Sequence, residues 1–285
     1  MAFLKSVFIS GFIMYLALSS LYALAQVVRG MDPILGWLGM ALAALGPLAY
    51  FTWIMLARPA RTPRLPLDCT LVSGLGLAIS MAMAWKHGPA AGLIHVWAGA
   101  AFIGWFVYLR WYSPFQKRDT GSLQRGSELP AFRLQNLRDE IVNSELFRGS
   151  PHVLVFYRGN WCPFCTAQIR ELAESYQEIA ATGAQVMLIS PQPLKEHQKL
   201  AKRYAIPVEF LRDRDNEAAR TLGILAPWAV PMGMQVAGYD SDAALPTVLV
   251  TDVDGRILYS HLTDNYRIRP EPSEFLSVLQ SASAR

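Results

Sequence analysis

The sequence predicts two regions of different fold class: an all-α region of four transmembrane helices, followed by an α/β domain with a mixed sheet. Residues 1–112 contain four long apolar runs without acidic or basic side chains inside them, the pattern of membrane-spanning helices. Residues 131–285 instead alternate short β-rich runs with helical periodicity, which is typical of an α/β fold. The polar segment 113–130, which contains Gly and Pro, is predicted to link the two regions.

Charge is distributed unevenly between the two regions. Residues 1–118 carry nine of the 26 Lys and Arg residues but only two of the 22 acidic residues. The basic side chains therefore flank the apolar runs, as is typical of a membrane protein. The rest of the chain has a net negative charge, so the basic pI of about 9.0 provides no argument for nucleic-acid binding.

The four apolar runs are close to the length that crosses a bilayer, about 20 residues in a helix. They are Val7–Val28, Ile34–Leu56, Cys69–Trp85 and Ala90–Leu109. Gly, Ala, Ser and Trp are frequent in these runs, as membrane helices permit. Ala23-Leu24-Ala25 resembles a signal-peptidase site, but the first run is longer than the apolar core of an ordinary signal peptide. We therefore expect residues 1–25 to remain as part of an uncleaved helix.

Lysine and arginine residues in the short loops predict the orientation. Two basic residues, Arg29 and Lys86, lie on one side of the four predicted helices. The other side has Lys5, Arg58, Arg61, Arg64, Arg110, Lys117 and Arg118. Because the more basic side is normally cytoplasmic, both termini and the α/β domain are predicted to lie in the cytoplasm, on a multi-pass protein of the cell (inner) membrane. The alternative is an α/β domain on the extracytoplasmic (periplasmic) side.

Two residues of the helical region have side chains that can take part in chemistry. His95 lies in the fourth run, where an intramembrane histidine can bind haem or contact a quinone; a buried histidine hydrogen-bonded to a neighbouring helix is the simpler interpretation. Cys69 is expected to pack as a small apolar residue. Because one cysteine cannot act as a dithiol, we expect the helices to anchor the α/β domain rather than to carry electrons.

Periodicity predicts the elements of the α/β domain. The predicted strands are His152–Tyr157, Gln185–Ile189, Val208–Leu211, Thr247–Thr251 and Ile257–His261. The predicted helices are Thr166–Thr182, Leu194–Tyr204, Glu217–Leu222 and Ser273–Gln280. Asp254-Gly255 predicts a hairpin turn between the last two strands.

The segment Trp161-Cys162-Pro163-Phe164-Cys165 carries the strongest signal for chemistry. It follows a predicted strand and opens a helix, so Cys162 is expected at a helix N-terminus, where the dipole and free N–H groups stabilise a thiolate. Pro163 suits the first helical turn, and Cys165 lies one turn further on, within disulfide reach. We expect Cys162 to attack a disulfide, Cys165 to resolve the mixed disulfide, and Trp161 to offer an apolar face for docking.

A zinc site and a pair of unreactive structural cysteines are the alternatives for two closely spaced cysteines. Structural zinc needs four ligands, and no second Cys-x-x-Cys or His pair accompanies this one in the sequence. No metal and no cofactor is therefore predicted.

The segment "FYRGNWCPFC" (Phe156–Cys165) resembles the redoxin branch of the thioredoxin-like superfamily, which includes the AhpC/TSA, or peroxiredoxin-like, proteins. The likeness extends over about residues 120–282, with further similar segments at 126–137, 187–193, 205–224, 244–261 and 264–276. The resemblance implies a thioredoxin-like fold and a cis peptide bond between Leu245 and Pro246. It also implies that Pro246 faces the Cys-x-x-Cys loop, binds the substrate chain with its neighbouring backbone, and is supported by Thr247.

The sequence departs from the peroxidase pattern of this family. Peroxiredoxins hold the peroxide with a Pro-x-x-x-Thr/Ser-x-x-Cys loop, and the matching positions are Val155 and Gly159. The buried acid that thioredoxins carry before the loop corresponds to Phe156. Glu171 or Glu174 can replace this acid, although solvated charge on a helix face is the simpler interpretation.

The leading hypothesis is a membrane-anchored thiol–disulfide oxidoreductase, with the bilayer, a protein disulfide or dithiol substrate and a thioredoxin-type reductant as partners, and without nucleic acid. The first alternative is a peroxiredoxin-like peroxidase with Cys162 as the peroxidatic cysteine. The second is a non-catalytic membrane protein whose redoxin domain senses redox state or binds a partner.

Overall fold

The computed structural model describes residues 2–88, 92–115 and 121–283. The chain divides into a helical unit and an α/β unit. The helical unit comprises Val7–Arg58 and Thr62–Pro114. The α/β unit comprises Met1–Ser6, Pro59–Arg61 and Phe115–Arg285.

Four α-helices form the first part of the chain: α1 (Ala2–Val28), α2 (Ile34–Ala57), α3 (Leu67–His87) and α4 (Ile94–Val107), which continues into a π-helical turn at Tyr108–Tyr112. Of the helices that the structure describes, α1, α2 and α3 are long and apolar enough to cross a membrane. With 14 residues, α4 is shorter than the roughly 20 that a span requires. The predicted count of four spans is therefore supported for three helices. Ala90, Lys117 and Arg118 lie outside the described residues.

Helices α2 and α3 approach each other closely at two glycines. A Cβ atom on Gly76 would lie 2.3 Å from the backbone nitrogen of Ala43, and one on Gly39 would lie 2.7 Å from the carbonyl oxygen of Gly76. The Oγ of Ser73 donates a hydrogen bond of 2.8 Å to the carbonyl of Ala43. Small residues that let backbones approach, with a hydroxyl bonded across the interface, are the usual means of packing helices in a membrane.

The α/β unit contains a seven-stranded mixed sheet of order β2-β1-β5-β4-β3-β8-β9. These strands are β1 (Arg133–Gln135), β2 (Ile141–Asn143), β3 (His152–Phe156), β4 (Gln185–Ser190), β5 (Glu209–Arg212), β8 (Thr247–Thr251) and β9 (Ile257–Leu262). A separate two-stranded sheet pairs β6 (Leu225–Ala226) with β7 (Ala243–Ala244). Strands β3, β4 and β5 are parallel, and β8 is antiparallel to β3. The predicted mixed α/β fold is confirmed.

The helices of this unit are α5 (Pro163–Glu174), α6 (Tyr176–Ala181), α7 (Leu194–Tyr204), α8 (Glu217–Thr221) and α9 (Pro272–Ser283). The helix predicted over Thr166–Thr182 is two helices, because the backbone leaves helical geometry at Ser175, with φ −92° and ψ 3°. The other predicted helices agree with the structure to within a few residues, as is usual for helix ends.

The centre of the sheet positions the candidate site. Every residue of β3 is buried, as expected for a strand flanked on both sides and covered on both faces. Phe156, the last residue of β3, pairs with Thr247, the first of β8. The loop that leaves β3 and the segment that enters β8 therefore meet at the same end of the sheet.

Among the described residues, a cis peptide bond occurs only between Asp32 and Pro33. The bond between Leu245 and Pro246 is therefore trans. The expectation of a cis bond is therefore wrong. The segment is held from both sides: β7 ends at Ala244, the N–H of Leu245 donates 2.7 Å to the carbonyl of Ile224, and β8 begins at Thr247.

Candidate functional site

The two cysteines of the Cys-x-x-Cys segment lie where β3 leads into α5. Cys162 is the N-cap of α5, with φ −88° and ψ 115°, and Pro163 occupies the first helical turn. The backbone N–H of Cys165 donates 3.1 Å to the carbonyl of Cys162. Both cysteines are free thiols. They are also almost completely buried, with 1% of Cys162 and 0% of Cys165 exposed.

The electrostatics of this dithiol differ from the expectation. Burial, followed by the hydrogen bond with Cys165, raises the pKa of Cys162 well above its usual range. Burial opposes ionisation of Cys165 too, but a hydrogen bond from Cys162 and the charge of Arg269 hold the pKa of Cys165 well below its usual range. The helix N-terminus does not reverse this order, because the side chain of Cys162 makes no capping hydrogen bond to α5.

Arg269 is the charged group in contact with the dithiol. Its Nη2 atom lies 3.6 Å from the Sγ of Cys165, and 2% of the residue is exposed. Its Nη1 atom donates hydrogen bonds of 2.7 Å to the carbonyls of Tyr266 and Ile268. The guanidinium is therefore held in place by its own segment, and its free edge faces the sulfur. No local pattern in the sequence predicts this role, because Arg269 is more than a hundred residues from Cys165.

Arg158 is buried beside the motif. Its guanidinium lies 4.7 Å from the ring centroid of Trp161 and 5.3 Å from that of Tyr266. It also donates a hydrogen bond to the carbonyl of Ala229. Stacking on two aromatic faces stabilises a buried cation. It also fixes the indole of Trp161, the predicted docking face, which is half-buried.

The loop before Cys162 is tied to two other segments by Asn160. The backbone N–H of Asn160 donates 2.7 Å to the side-chain oxygen of Gln192, and its side-chain amide donates 2.8 Å to Glu196. The hydroxyl of Tyr239 donates to the side-chain oxygen of Asn160. Residues 226–242 are thus attached to the loop twice, through Tyr239 and through Ala229.

A buried polar network lies behind the loop. The side-chain amide of Gln192 donates 3.1 Å to the hydroxyl of Tyr157, which lies 3.4 Å from Nδ1 of His197. Nε2 of His197 lies 3.2 Å from the carbonyl of Ser190. Burial lowers the pKa of His197 to about 4 and raises the pKa of Tyr157 far above its usual range. Both side chains are therefore neutral at physiological pH.

The remaining predicted site residues lie near the motif or have other partners. Pro246 and Thr247 are buried at the same end of the sheet as the loop, and the Thr247 hydroxyl donates 3.0 Å to the carbonyl of Leu245. Glu171 forms an ion pair of 2.8 Å with Arg61, a residue of the same unit. Glu174 lies 4.0 Å from Arg170 and is mostly exposed. Neither glutamate replaces the missing buried acid.

The two side chains singled out in the helical unit lie in α3 and α4. Cys69 is partly exposed. Nδ1 of His95 is buried without a hydrogen-bond partner among the described residues, so the expected bond to a neighbouring helix is not made by this atom. No group of three or more His, Cys, Asp or Glu that could hold a metal occurs in the described ranges.

Comparisons with known proteins give one matching family and several similar proteins. Residues 125–260 match the AhpC/TSA family. The chain is 30% identical over 165 residues to a chloroplastic peroxiredoxin Q of Oryza sativa subsp. japonica, covering 56% of this chain and 69% of the rice protein. A peroxiredoxin Q of Triticum aestivum gives the same identity and the same coverage. The solved structure of peroxidoxin BcpB from Mycobacterium tuberculosis matches 56% of this chain and 97% of its own, with 19% identity and a TM-score of 0.47.

Proposed function

This chain belongs to the AhpC/TSA family of peroxiredoxin-like redox proteins, and from that premise we propose that it is a membrane-anchored thiol–disulfide oxidoreductase. The observation that carries the proposal is the dithiol itself. Cys162 and Cys165 are free, linked by the backbone hydrogen bond from Cys165 to Cys162 and separated by one helical turn at the end of β3. Two thiols so placed can close a disulfide within the chain, which is what dithiol exchange requires.

Each residue has a stated part in the reaction. Cys162 attacks one sulfur of a substrate disulfide, which forms a mixed disulfide and releases the first substrate thiolate. Cys165 then attacks the sulfur of Cys162, closes the Cys162–Cys165 disulfide and releases the second substrate sulfur as a thiol. Two electrons pass from the dithiol to the substrate, and a thioredoxin-type reductant returns them. No metal or cofactor takes part in this scheme.

Four residues around the dithiol are assigned to substrate binding. Trp161, held by Arg158, presents an apolar face to the partner. Pro163 pre-forms the first turn of α5. Pro246 and Thr247 supply the segment that enters β8 beside the loop, along which the backbone of a substrate chain would lie.

Three apolar helices support the assignment of residues 1–112 as a membrane anchor and of residues 113–130 as the linker to the redoxin domain, residues 131–285. The loop between α2 and α3 contains Arg58, Arg61 and Arg64. By the rule that basic loops stay in the cytoplasm, we assign the redoxin domain to the cytoplasmic side. A reducing compartment would keep the dithiol mostly reduced. The dithiol is therefore expected to act as a reductant there.

Peroxide reduction is the second candidate, and the relatives favour it, because those reported above are named peroxiredoxin Q. In this scheme Cys162 attacks the peroxide O–O bond and becomes a sulfenic acid, water or an alcohol leaves, and Cys165 condenses with the sulfenic acid to form the disulfide. Against it stand Val155 and Gly159, which replace the Pro and Thr of the peroxide-binding loop.

One experiment separates the two candidates. Full-length protein in detergent, together with its Cys162→Ser and Cys165→Ser variants, is assayed with a peptide disulfide and with hydrogen peroxide under the same reductant. The expected result is turnover of the disulfide that Cys162→Ser abolishes, and a mixed disulfide that accumulates in Cys165→Ser. Turnover of peroxide alone, with a stable sulfenic acid at Cys162 in the Cys165→Ser variant, would make the protein a peroxidase instead. Disulfide turnover that survives Cys162→Ser would contradict both assignments.

A further inference from the structure

Arg269 is a buried cation that needs a negatively charged partner. An arginine side chain stays protonated in proteins, and burying a charge is costly unless it is paired. Within the described chain no Asp or Glu forms an ion pair with Arg269, and its Nε atom has no hydrogen-bond partner. Its guanidinium donates hydrogen bonds to two backbone carbonyls and to the sulfur of Cys165. Of these, only the sulfur can become an anion.

The other charged and titratable groups near the dithiol also indicate that the sulfur of Cys165 carries the negative charge. Arg158 adds a second positive charge, which acts on Cys162, and Tyr157 is buried and neutral. The side chain of Cys162 receives no hydrogen bond from the N-terminus of α5. The charges of Arg158 and Arg269 also lower the pKa of Cys162, but burial outweighs them, whereas the guanidinium of Arg269 contacts the sulfur of Cys165 directly. With the negative charge on Cys165, the proton of the pair stays on Cys162, whose pKa is raised.

We infer that Arg269 is a positioning residue that holds the negative charge of the reduced dithiol on Cys165, so that Cys165 accepts the proton of Cys162 when Cys162 attacks. This inference deepens the proposed function and rests on it. Thioredoxins carry a buried acid that accepts this proton, but the corresponding position here is Phe156, which cannot accept one. The Cys165 thiolate takes over that role.

The steps balance without a further reactant. Cys162 transfers its proton to the Cys165 thiolate as it attacks the substrate disulfide, and the first substrate sulfur leaves as a thiolate. Cys165, now a thiol, attacks the sulfur of Cys162 in the mixed disulfide, and its proton goes to the second substrate sulfur, which leaves as a thiol. Throughout, Arg269 remains protonated and faces whichever form of Cys165 is present.

The first test measures the ionisation of Cys165 alone. Thiolate absorbance in the ultraviolet is followed against pH for the full-length Cys162→Ser protein, and the curve of the Cys162→Ser/Cys165→Ser protein is subtracted to remove Cys69 and the tyrosines. Cys165 is expected to ionise below the usual range of a thiol. Ionisation at or above that range would overturn the inference, and this arm needs no arginine variant to fold.

The second test changes the arginine in the same Cys162→Ser background. Arg269→Gln is expected to lower the acid ionisation constant of Cys165 about tenfold, the smaller end of what a neighbouring arginine does to an acid. Arg269→Lys, which keeps the charge, is expected to restore part of it. Arg203→Gln, which removes one exposed charge on α7, is the charge-matched control and should leave the titration unchanged. Equal titrations for Arg269→Gln and Arg203→Gln would overturn the inference.

The third test follows turnover in the protein with both cysteines. Arg269→Gln is expected to move the pH–rate profile of disulfide reduction to higher pH, with the lost rate recovered on the alkaline side. A merely structural role would instead lower the rate equally at every pH, and that result counts against the inference. If the wild-type protein turned over no disulfide at all, the proposed function would fail, while the titration of Cys165 would still decide the role of Arg269.

Discussion

Gly159 lies against the indole of Trp161, at a distance that leaves no room for a side chain. A Cβ atom at Gly159 would be 2.6 Å from Nε1 and 2.8 Å from Cδ1 of Trp161. The φ angle of Gly159 is +145°, a conformation that L-residues other than glycine rarely adopt. This is the position at which the peroxide-binding loop of the family has Thr or Ser. Because the indole of Trp161 packs against this position, a Thr or Ser side chain does not fit there, which explains why this sequence lacks the residue of the peroxide-binding loop.

Restoring the hydroxyl should consequently harm the site. Gly159→Thr is expected to displace Trp161 and to raise the KM for a protein disulfide about tenfold, since an aromatic anchor is typically worth 1–2 kcal/mol or more, without increasing peroxide turnover. Steady-state kinetics with both substrates checks this. Gly183→Thr is the matched control, because Gly183 also has a positive φ, +79°, but no atom within 4 Å of its Cβ position. A Gly159→Thr protein that gained peroxidase activity would contradict the explanation.

Tyr157→Phe is expected to destabilise the protein by about 1–3 kcal/mol, the cost of leaving a buried polar group without its partner. The group concerned is the side-chain amide of Gln192, whose 3.1 Å bond goes to the Tyr157 hydroxyl. Chemical denaturation of the full-length protein in detergent measures the difference. Tyr259→Phe is the control, because its hydroxyl bonds to Glu274 at an exposed position, where water can replace it. Equal losses in the two variants would show that burial of the network does not matter.

His197 predicts a loss of stability in acid. Burial, the largest cause, lowers its pKa in the folded state from 6.5 to about 4, so between these values the unfolded chain binds a proton that the folded chain excludes. The resulting contribution of His197 to the free energy of unfolding amounts to about 3 kcal/mol. It is fully present above pH 6.5, declines below that pH, and is lost once the pH has fallen through about 4. His197→Gln should flatten this part of the unfolding curve against pH. His87→Gln, at an exposed position, should keep it; identical slopes in the two variants would contradict the prediction.

The attachment of residues 226–242 to the loop predicts how Cys162 is shielded. Tyr239→Phe removes the hydrogen bond to Asn160 and is expected to increase the rate at which Cys162 is alkylated several-fold, because local opening exposes a residue that is 1% exposed. Peptide mass spectrometry after timed alkylation provides the rate. Gln235→Ala alters the same segment at a side chain that bonds only to the nearby N–H of Gly233, and should leave the rate unchanged. An unaltered rate in Tyr239→Phe would mean that this bond does not restrain the segment.

The elements with strong periodicity were predictable from the sequence. The strand at His152–Phe156 and the helix at Leu194–Tyr204 are as expected, because apolar runs and helical spacing are local signals. Strands β1, β2, β6 and β7 were missed, since two or three residues each are too few to show a period. The dithiol was predictable for the same local reason.

The environment of the dithiol was not predictable, because tertiary structure creates it. Arg158 is buried only because Trp161 and Tyr266 stack on it, and Arg269 reaches Cys165 from a segment near the C-terminus. A helix N-terminus suggested that Cys162 would ionise first; burial and the contact with Arg269 outweigh that local effect. The sequence therefore predicts which two cysteines form the dithiol, whereas the distribution of charge between them required the structure.

The close approach of α2 and α3 makes the helical unit sensitive to a side chain at Gly76. Its Cβ would lie 2.3 Å from the backbone nitrogen of Ala43, and because backbone atoms cannot turn aside as a side chain can, Gly76→Leu must force the helices apart. We expect a loss of about 1–3 kcal/mol or more from overpacking, together with loss of the hydrogen bond from Ser73 to Ala43. Unfolding of the full-length protein in a denaturing detergent, followed by far-ultraviolet circular dichroism, measures this loss.

Gly11→Leu is the matched control, since nothing lies within 4 Å of its Cβ position in α1. If Gly76→Leu were as stable as Gly11→Leu, the glycine-mediated contact between α2 and α3 would not be a determinant of the packing of this unit.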